Sequence, residues 1–222
     1  MSTRSRVERA LHGPSLTEVT VGAVMSLVLG ALLGVLYLIS VPVATVREMP
    51  AEPVAGQVYY IEGSRASGVR GTMMNKLKLF TGGGDYDIRL NEAELNAWIG
   101  QSVAKPTGED DDAMVKPESI NFRIADGRLQ IAAPSTLDLL GIYSQKLILQ
   151  ARGTFAKSGD RFVYNADELM IGSLAVSRFP GMTGLILPRM LKLDDVPEDL
   201  IAAWGRLDSV RVEDDTLVLS LP

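Results

Sequence analysis

The chain of 222 residues contains no cysteine and one histidine. Without a thiol, disulfides, thiolate zinc sites, cysteine nucleophiles and a cysteine-linked lipid anchor are all excluded. The single histidine, His12, stands near the N-terminus, so the chain that follows has no imidazole to act as base or metal ligand. No metal site, cofactor or catalytic residue is expected. An excess of basic charge is also missing: 22 Lys and Arg stand against 27 Asp and Glu, a net charge of -5. Phosphate backbones need clustered Lys and Arg, so nucleic acid is not an expected partner.

Charge is absent altogether from Val19 to Val46, "VTVGAVMSLVLGALLGVLYLISVPVATV". As a helix these residues would rise about 42 Å, against a hydrocarbon core of ~30 Å. A cleaved secretory signal would have an apolar region of only ~7 to 15 residues and a small-residue cut site. A retained transmembrane helix is the expectation. Arg4, Arg6 and Arg9 precede the run and only Arg47 follows closely. Basic flanks stay on the cytoplasmic side, which puts the N-terminus inside. The expected organisation is a cytoplasmic segment 1–18, a transmembrane helix 19–46, a linker 47–56 and an α+β domain 57–222. The domain would be periplasmic or extracellular, anchored in the cell (inner) membrane. Its size suits one core of its own.

Within the apolar run, Gly22, Ser26, Gly30 and Gly34 recur every four residues. They share one helix face and would let another backbone approach closely, allowing a homodimer or a membrane-complex partner. Glycine is also simply common in membrane helices.

Beyond the linker, "QVYYIEG" reads as a short strand. Arg65, Arg70, Lys76 and Lys78 then occur without an acid up to Phe80, with Met73, Leu77 and Phe80 on one helical face. This basic face suits either lipid headgroups or solvent. In "YDIRLNEAELNAWIG", Asn91 and Glu94 have capping-box spacing and start a helix with Leu95, Trp98 and Ile99 as its apolar face. Asn96 suits a role in satisfying nearby backbone. Glu92 and Glu94 point apart and form no catalytic pair. The acidic loop Glu109 to Asp112 lacks the alternating ligands and turn glycine of a calcium loop and reads as solvated.

Period-two alternation follows: Ile120, Phe122 and Ile124, a turn at "ADG", then Leu129 and Ile131. A second hairpin turns at "KSGD" and a third at "EDD". The resulting antiparallel sheet has one apolar face to cover. "PEDLIAAWGRL" offers an amphipathic helix starting at Pro197 with Leu200, Ile201 and Trp204 inward. "GMTGLILPRMLKL" is apolar nearly all round and interrupted by Pro188. Such a segment is either deeply buried or in contact with something apolar that is not protein.

The segments "IRLNEAELNAWI", "INFRIADGRLQI", "ELMIGSLAVSRFPG" and "LDSVRVEDDTLVLSLP" together resemble the YpmS-like family of small single-span membrane proteins. More distantly they resemble tubular lipid-binding (TULIP-like) domains. The resemblance implies a curved antiparallel β-sheet domain packed on amphipathic helices, following the transmembrane helix, with a groove for an acyl chain.

These readings converge on a non-enzymatic single-pass protein whose outer domain binds membrane lipid or another apolar ligand. Its contact residues would be Leu185, Ile186, Leu187, Met190 and Leu191. Burying an acyl chain gains about 0.8 kcal/mol per CH₂ and needs no polar chemistry. The alternative is a structural or accessory subunit of a membrane complex packed through Gly22, Ser26, Gly30 and Gly34. A glycosidase using carboxylates alone is a third class, but no pair is singled out by spacing.

Overall fold

The computed structural model of the chain describes residues 13–65, 68–102, 115–139, 143–191 and 196–222. The basic flank Arg4 to Arg9, His12 and the acidic loop Glu109 to Asp112 lie outside the described residues. The protein is mixed α+β and divides into two compact units between Ile39 and Ser40.

The first unit is essentially helix α1 (Leu16–Ser40). Ser15 and Glu18 cap its start reciprocally: Glu18 N donates to Ser15 Oγ at 3.2 Å, and Ser15 N donates to a Glu18 carboxylate oxygen at 3.1 Å. Thr20, the hydroxyl early in the apolar stretch, bonds back to Leu16 O at 2.8 Å. At 25 residues, α1 is long and apolar enough to cross a membrane. The uncharged run therefore splits. Pro42 disfavours helical geometry at Val41, α1 stops at Ser40, and Ala44–Val46 forms strand β1 of the second unit instead of prolonging the helix.

In the second unit β1 pairs in parallel with β2 (Tyr59–Ile61), so residues 47–58 are the connection between paired strands and not a free linker. Tyr59 holds this strap: its hydroxyl accepts from Val54 N at 2.9 Å. Helix α2 (Arg70–Gly82), strand β3 (Tyr86–Asn91) and helix α3 (Glu92–Ser102) follow. The principal sheet is antiparallel, in the order β4 (Val115–Pro117), β6 (Arg128–Leu139), β7 (Tyr143–Ser158), β8 (Arg161–Ile171) and β9 (Leu174–Ala175). Strand β5 (Asn121–Ala125) pairs with β6 as well. A 3-10 turn (Val176–Arg178), helix α4 (Met182–Leu191) and helix α5 (Glu198–Trp204) precede the closing hairpin β10 (Ser209–Glu213) and β11 (Thr216–Leu221). Strand β11 pairs with β3 to complete a three-stranded antiparallel sheet.

The hairpins turn where their sequences predict. Asp126 and Gly127 both have positive φ, 53° and 66°, as a two-residue primed turn requires. One register row shows how the core is filled: Phe122, Ile131, Ala151 and Leu169 face one another across four strands, and all are buried. Phe155 stacks edge-on to Tyr164 and against Trp204, with centroids 5.5 and 5.6 Å away. Trp204 Nε1 donates to Phe162 O at 2.7 Å, fixing α5 on the β8 side of the sheet.

Two helical expectations need correction. In α5, Leu200 and Ala203 are buried, whereas Ile201 is 43% exposed. A one-residue step turns a side chain about 100°, so Ile201 swings outward while Leu200 and Ala203 are buried and half-buried Trp204 packs on the sheet as expected. Pro188 does not interrupt its helix: α4 runs through it to Leu191. The lost backbone bond leaves the turns on either side in place.

Candidate functional sites

Helix α4 follows directly from the 3-10 turn, with Met182 N donating to Phe179 O at 3.2 Å. Met182 and Leu185, three apart, share one face of α4, and Phe179 stands just before the helix. Phe179, Met182 and Leu185 are 46%, 40% and 60% exposed, a run of large apolar side chains facing outward. Ile186 and Leu187 are half-buried beneath them. Of the expected contact residues, Leu185 faces out and Ile186 and Leu187 face inward in part. Met190 and Leu191 belong to the last turn of the same helix. Phe179 and Met182 escape a reading that starts from the helix centre, although "RFPGM" carries them in sequence. Exposed Arg178 adds a cation at the edge of this strip.

The chain enters the second unit at Ser40. Ser173 Oγ donates to Val41 O at 3.4 Å. Phe179 is six residues farther along, at most about 21 Å even if fully extended.

On α1, Gly22, Ser26, Gly30 and Gly34 are all exposed on one face, and a Cβ added at any of the three glycines would meet no neighbour within 4 Å.

The polar side chains of α3 are occupied in holding the fold. Asn91 caps the helix and Glu94 returns the bond, at 2.9 and 3.1 Å. Glu94 is buried and takes Lys76 Nζ at 2.6 Å, while the same ammonium reaches Arg89 O at 2.6 Å. Glu92 accepts from Ser64 N and Ile124 N at 2.9 and 2.7 Å. Asn96 bonds Ser64 and Phe122. Asn121 Oδ1 accepts from Gly63 N at 2.7 Å. Gly63 must be glycine, because a Cβ there would collide with the carbonyl of Phe122.

A cleft of about 560 Å³ opens between the strap and the other face of the principal sheet. Met49, Val58, Tyr59 and Ile61 line it from the strap side, and Arg123, Asp126, Gln130, Gln150, Arg152, Glu168 and Met170 from the sheet. Register explains the gathering. Arg123, Gln130, Arg152 and Glu168 stand opposite one another across β5, β6, β7 and β8, and Gln150 and Met170 share the next row on that face. Alternation marks each as facing away from the core, but only strand pairing brings them together. The cleft mixes charged and amide side chains from the sheet with apolar and aromatic ones, most of them from the strap side. Among the described residues no group of three or more His, Asp or Glu is placed to hold a metal ion.

Burial raises the pKa of Tyr60 to about 12, with the nearby Glu62 charge adding to the effect. Burial also pushes Tyr164 upward, helped by Asp167; its hydroxyl donates to Leu129 O at 2.7 Å. Neither lines the cleft, and both serve the fold. Compared with protein-family models, with curated proteins and with solved structures, the chain matches none.

Proposed function

We propose that this is a non-enzymatic, single-pass membrane protein, anchored by α1 with its N-terminus in the cytoplasm, whose outer domain binds membrane lipid through α4. The observation that carries this reading is the exposed strip Phe179, Met182 and Leu185, beginning a few residues beyond the Ser173–Val41 contact. Three large apolar side chains facing water are unfavourable by roughly 25 cal/mol per Å² of apolar surface. Inserting them among lipid tails removes that cost. With α1 as a spanning helix, Val41 follows it at the outer surface of the bilayer, and Ser173, bonded to Val41, leads within six residues into the strip. Arg178 can then extend its charge to the headgroups while its stem lies on apolar surface.

Lipid contact can be tested by placing a photo-crosslinking amino acid at Leu185 in the full-length protein in native membranes. Adducts to lipid support the proposal, and adducts solely to a single protein contradict it.

A second reading is an accessory subunit that packs through Gly22, Ser26, Gly30 and Gly34. The register of four small residues on one face of α1 supports it. Gly30→Leu with Gly34→Leu would dissociate such an assembly and leave lipid crosslinking at Leu185 unchanged.

A further inference from the structure

The chain is acidic, with 27 Asp and Glu against 22 Lys and Arg, yet no acid occurs from Leu169 to Leu193. The charged residues of that stretch are Arg178, Arg189 and Lys192, all cations. Helix α4 lies inside it, and acids resume at Asp194, beyond the last turn. Arg178 closes the 3-10 turn that leads into α4 and is exposed. Arg189 comes seven residues after Met182 on α4, which is two turns, so its position falls on the face that Met182 and Leu185 share. The exposed apolar side chains of Phe179, Met182 and Leu185 thus stand between two arginine positions.

That order suits one kind of bilayer surface. Exposed charges more than ~10 Å apart are largely screened at ordinary ionic strength, so at the headgroups the local sign outweighs the net charge of -5. A helix whose apolar face enters the bilayer interface brings its flanking cations to the headgroups. There the phosphate of phosphatidylglycerol offers an uncompensated negative charge. Phosphatidylcholine brings its own quaternary ammonium, which cancels the attraction. The first turn of α4 has no acid, and the positive end of the helix dipole acts in the same direction as Arg178.

We infer that α4 selects anionic phospholipid, drawing the phosphate to Arg178 and Arg189 while Phe179, Met182 and Leu185 enter the tails. This rests on the lipid contact proposed for α4 and names the lipid class that the contact takes.

The test uses the full-length chain in nanodiscs of phosphatidylcholine and phosphatidylglycerol with identical acyl chains. A photo-crosslinking amino acid is placed at Leu185 or, as a reference for the bulk lipid, at Leu29 on α1. Mass spectrometry reads the ratio of phosphatidylglycerol to phosphatidylcholine among the adducts. A Lys or Arg at an anionic surface contributes about 5-fold in binding, so the ratio at Leu185 should exceed that at Leu29 by about 5-fold or more. Arg178→Gln with Arg189→Gln should bring the two ratios together, and Arg178→Lys with Arg189→Lys should retain the enrichment. Raising the salt from about 0.1 to about 1 M should lower the enrichment without any substitution, because the Debye length falls from ~10 to ~3 Å. Equal ratios at Leu185 and Leu29 in the wild type, or an enrichment that survives the double glutamine variant, overturn the selectivity and leave the lipid contact standing. Absence of lipid adducts at Leu185 in every disc overturns the lipid contact and the selectivity with it.

Discussion

Asn96 pairs with the backbone of Phe122 as a neighbouring strand would. Its Oδ1 accepts from Phe122 N at 2.7 Å and its Nδ2 donates to Phe122 O at 2.8 Å. One turn earlier on α3, Glu92 accepts from Ile124 N at 2.7 Å. Residues four apart on a helix meet residues two apart on a strand, so these side chains occupy hydrogen-bonding groups along β5 on the side away from β6. An otherwise open edge is covered without a further strand.

Replacing Asn96 by Leu would leave the Phe122 amide and carbonyl buried without partners. We expect a loss of about 3 kcal/mol, since several buried groups are orphaned together. Asn96→Asp keeps the acceptor and loses the donor, and should fall between Leu and wild type. Chemical denaturation of the three proteins measures the order.

Gly63→Ala should be among the most damaging single-methyl additions in the domain. Its Cβ meets the Phe122 carbonyl, a backbone atom that cannot swing aside, so the cost is at or above the upper end of the ~1 to 3 kcal/mol typical of overpacking. Gly127→Ala meets no neighbour, and only its positive φ penalises it. A smaller loss at Gly63 than at Gly127 would contradict the packing described.

Lys76→Met removes the cation from buried Glu94. Because Lys76 is partly solvated, the expected loss is about 2 to 3 kcal/mol, below that for a fully buried pair. Adding Glu94→Gln removes the stranded charge and keeps the capping box, so the double variant should recover most of the loss. The double-mutant cycle reads the coupling directly.

Tyr60 gives the domain an alkaline limit. Its hydroxyl is buried without a partner among the described residues, and its pKa rises from 10 to about 12. The native state holds this proton more tightly than the unfolded chain. Stability from this group is fully present below pH 10 and declines from pH 10 through about 12. Tyr60→Phe should stabilise the protein at neutral pH by about 1 kcal/mol and lessen the alkaline decline. Tyr164, also raised by burial, maintains part of that decline in the variant. Melting temperatures from pH 7 to 11.5 measure both effects.

Local rules and long-range ones were not equally visible in the sequence. The Asn91–Glu94 capping box and the Asp126–Gly127 turn depend on neighbours within three residues and form as their spacing predicts. The hairpins of the principal sheet follow from alternation alone. The parallel pair β1–β2 has no such signal, because each strand is three residues long and the strap separates them. The cleft depends on register across four strands, which no single strand encodes. The outward strip on α4 was legible as an apolar excess. Its direction was not, since a helix apolar nearly all round has no periodicity to say which side faces the core.

The most direct test of membrane contact exploits the absence of cysteine, which gives site-directed spin labels no competing thiol. Single labels at Met182→Cys, Leu185→Cys and Gly127→Cys in the full-length protein, reconstituted in bilayers, would be compared for collision with oxygen and with a water-soluble nickel chelate. The labels at 182 and 185 are expected to meet oxygen preferentially, as in the hydrocarbon, while the label at 127 meets the chelate. Equal access of the chelate to all three positions would contradict membrane contact.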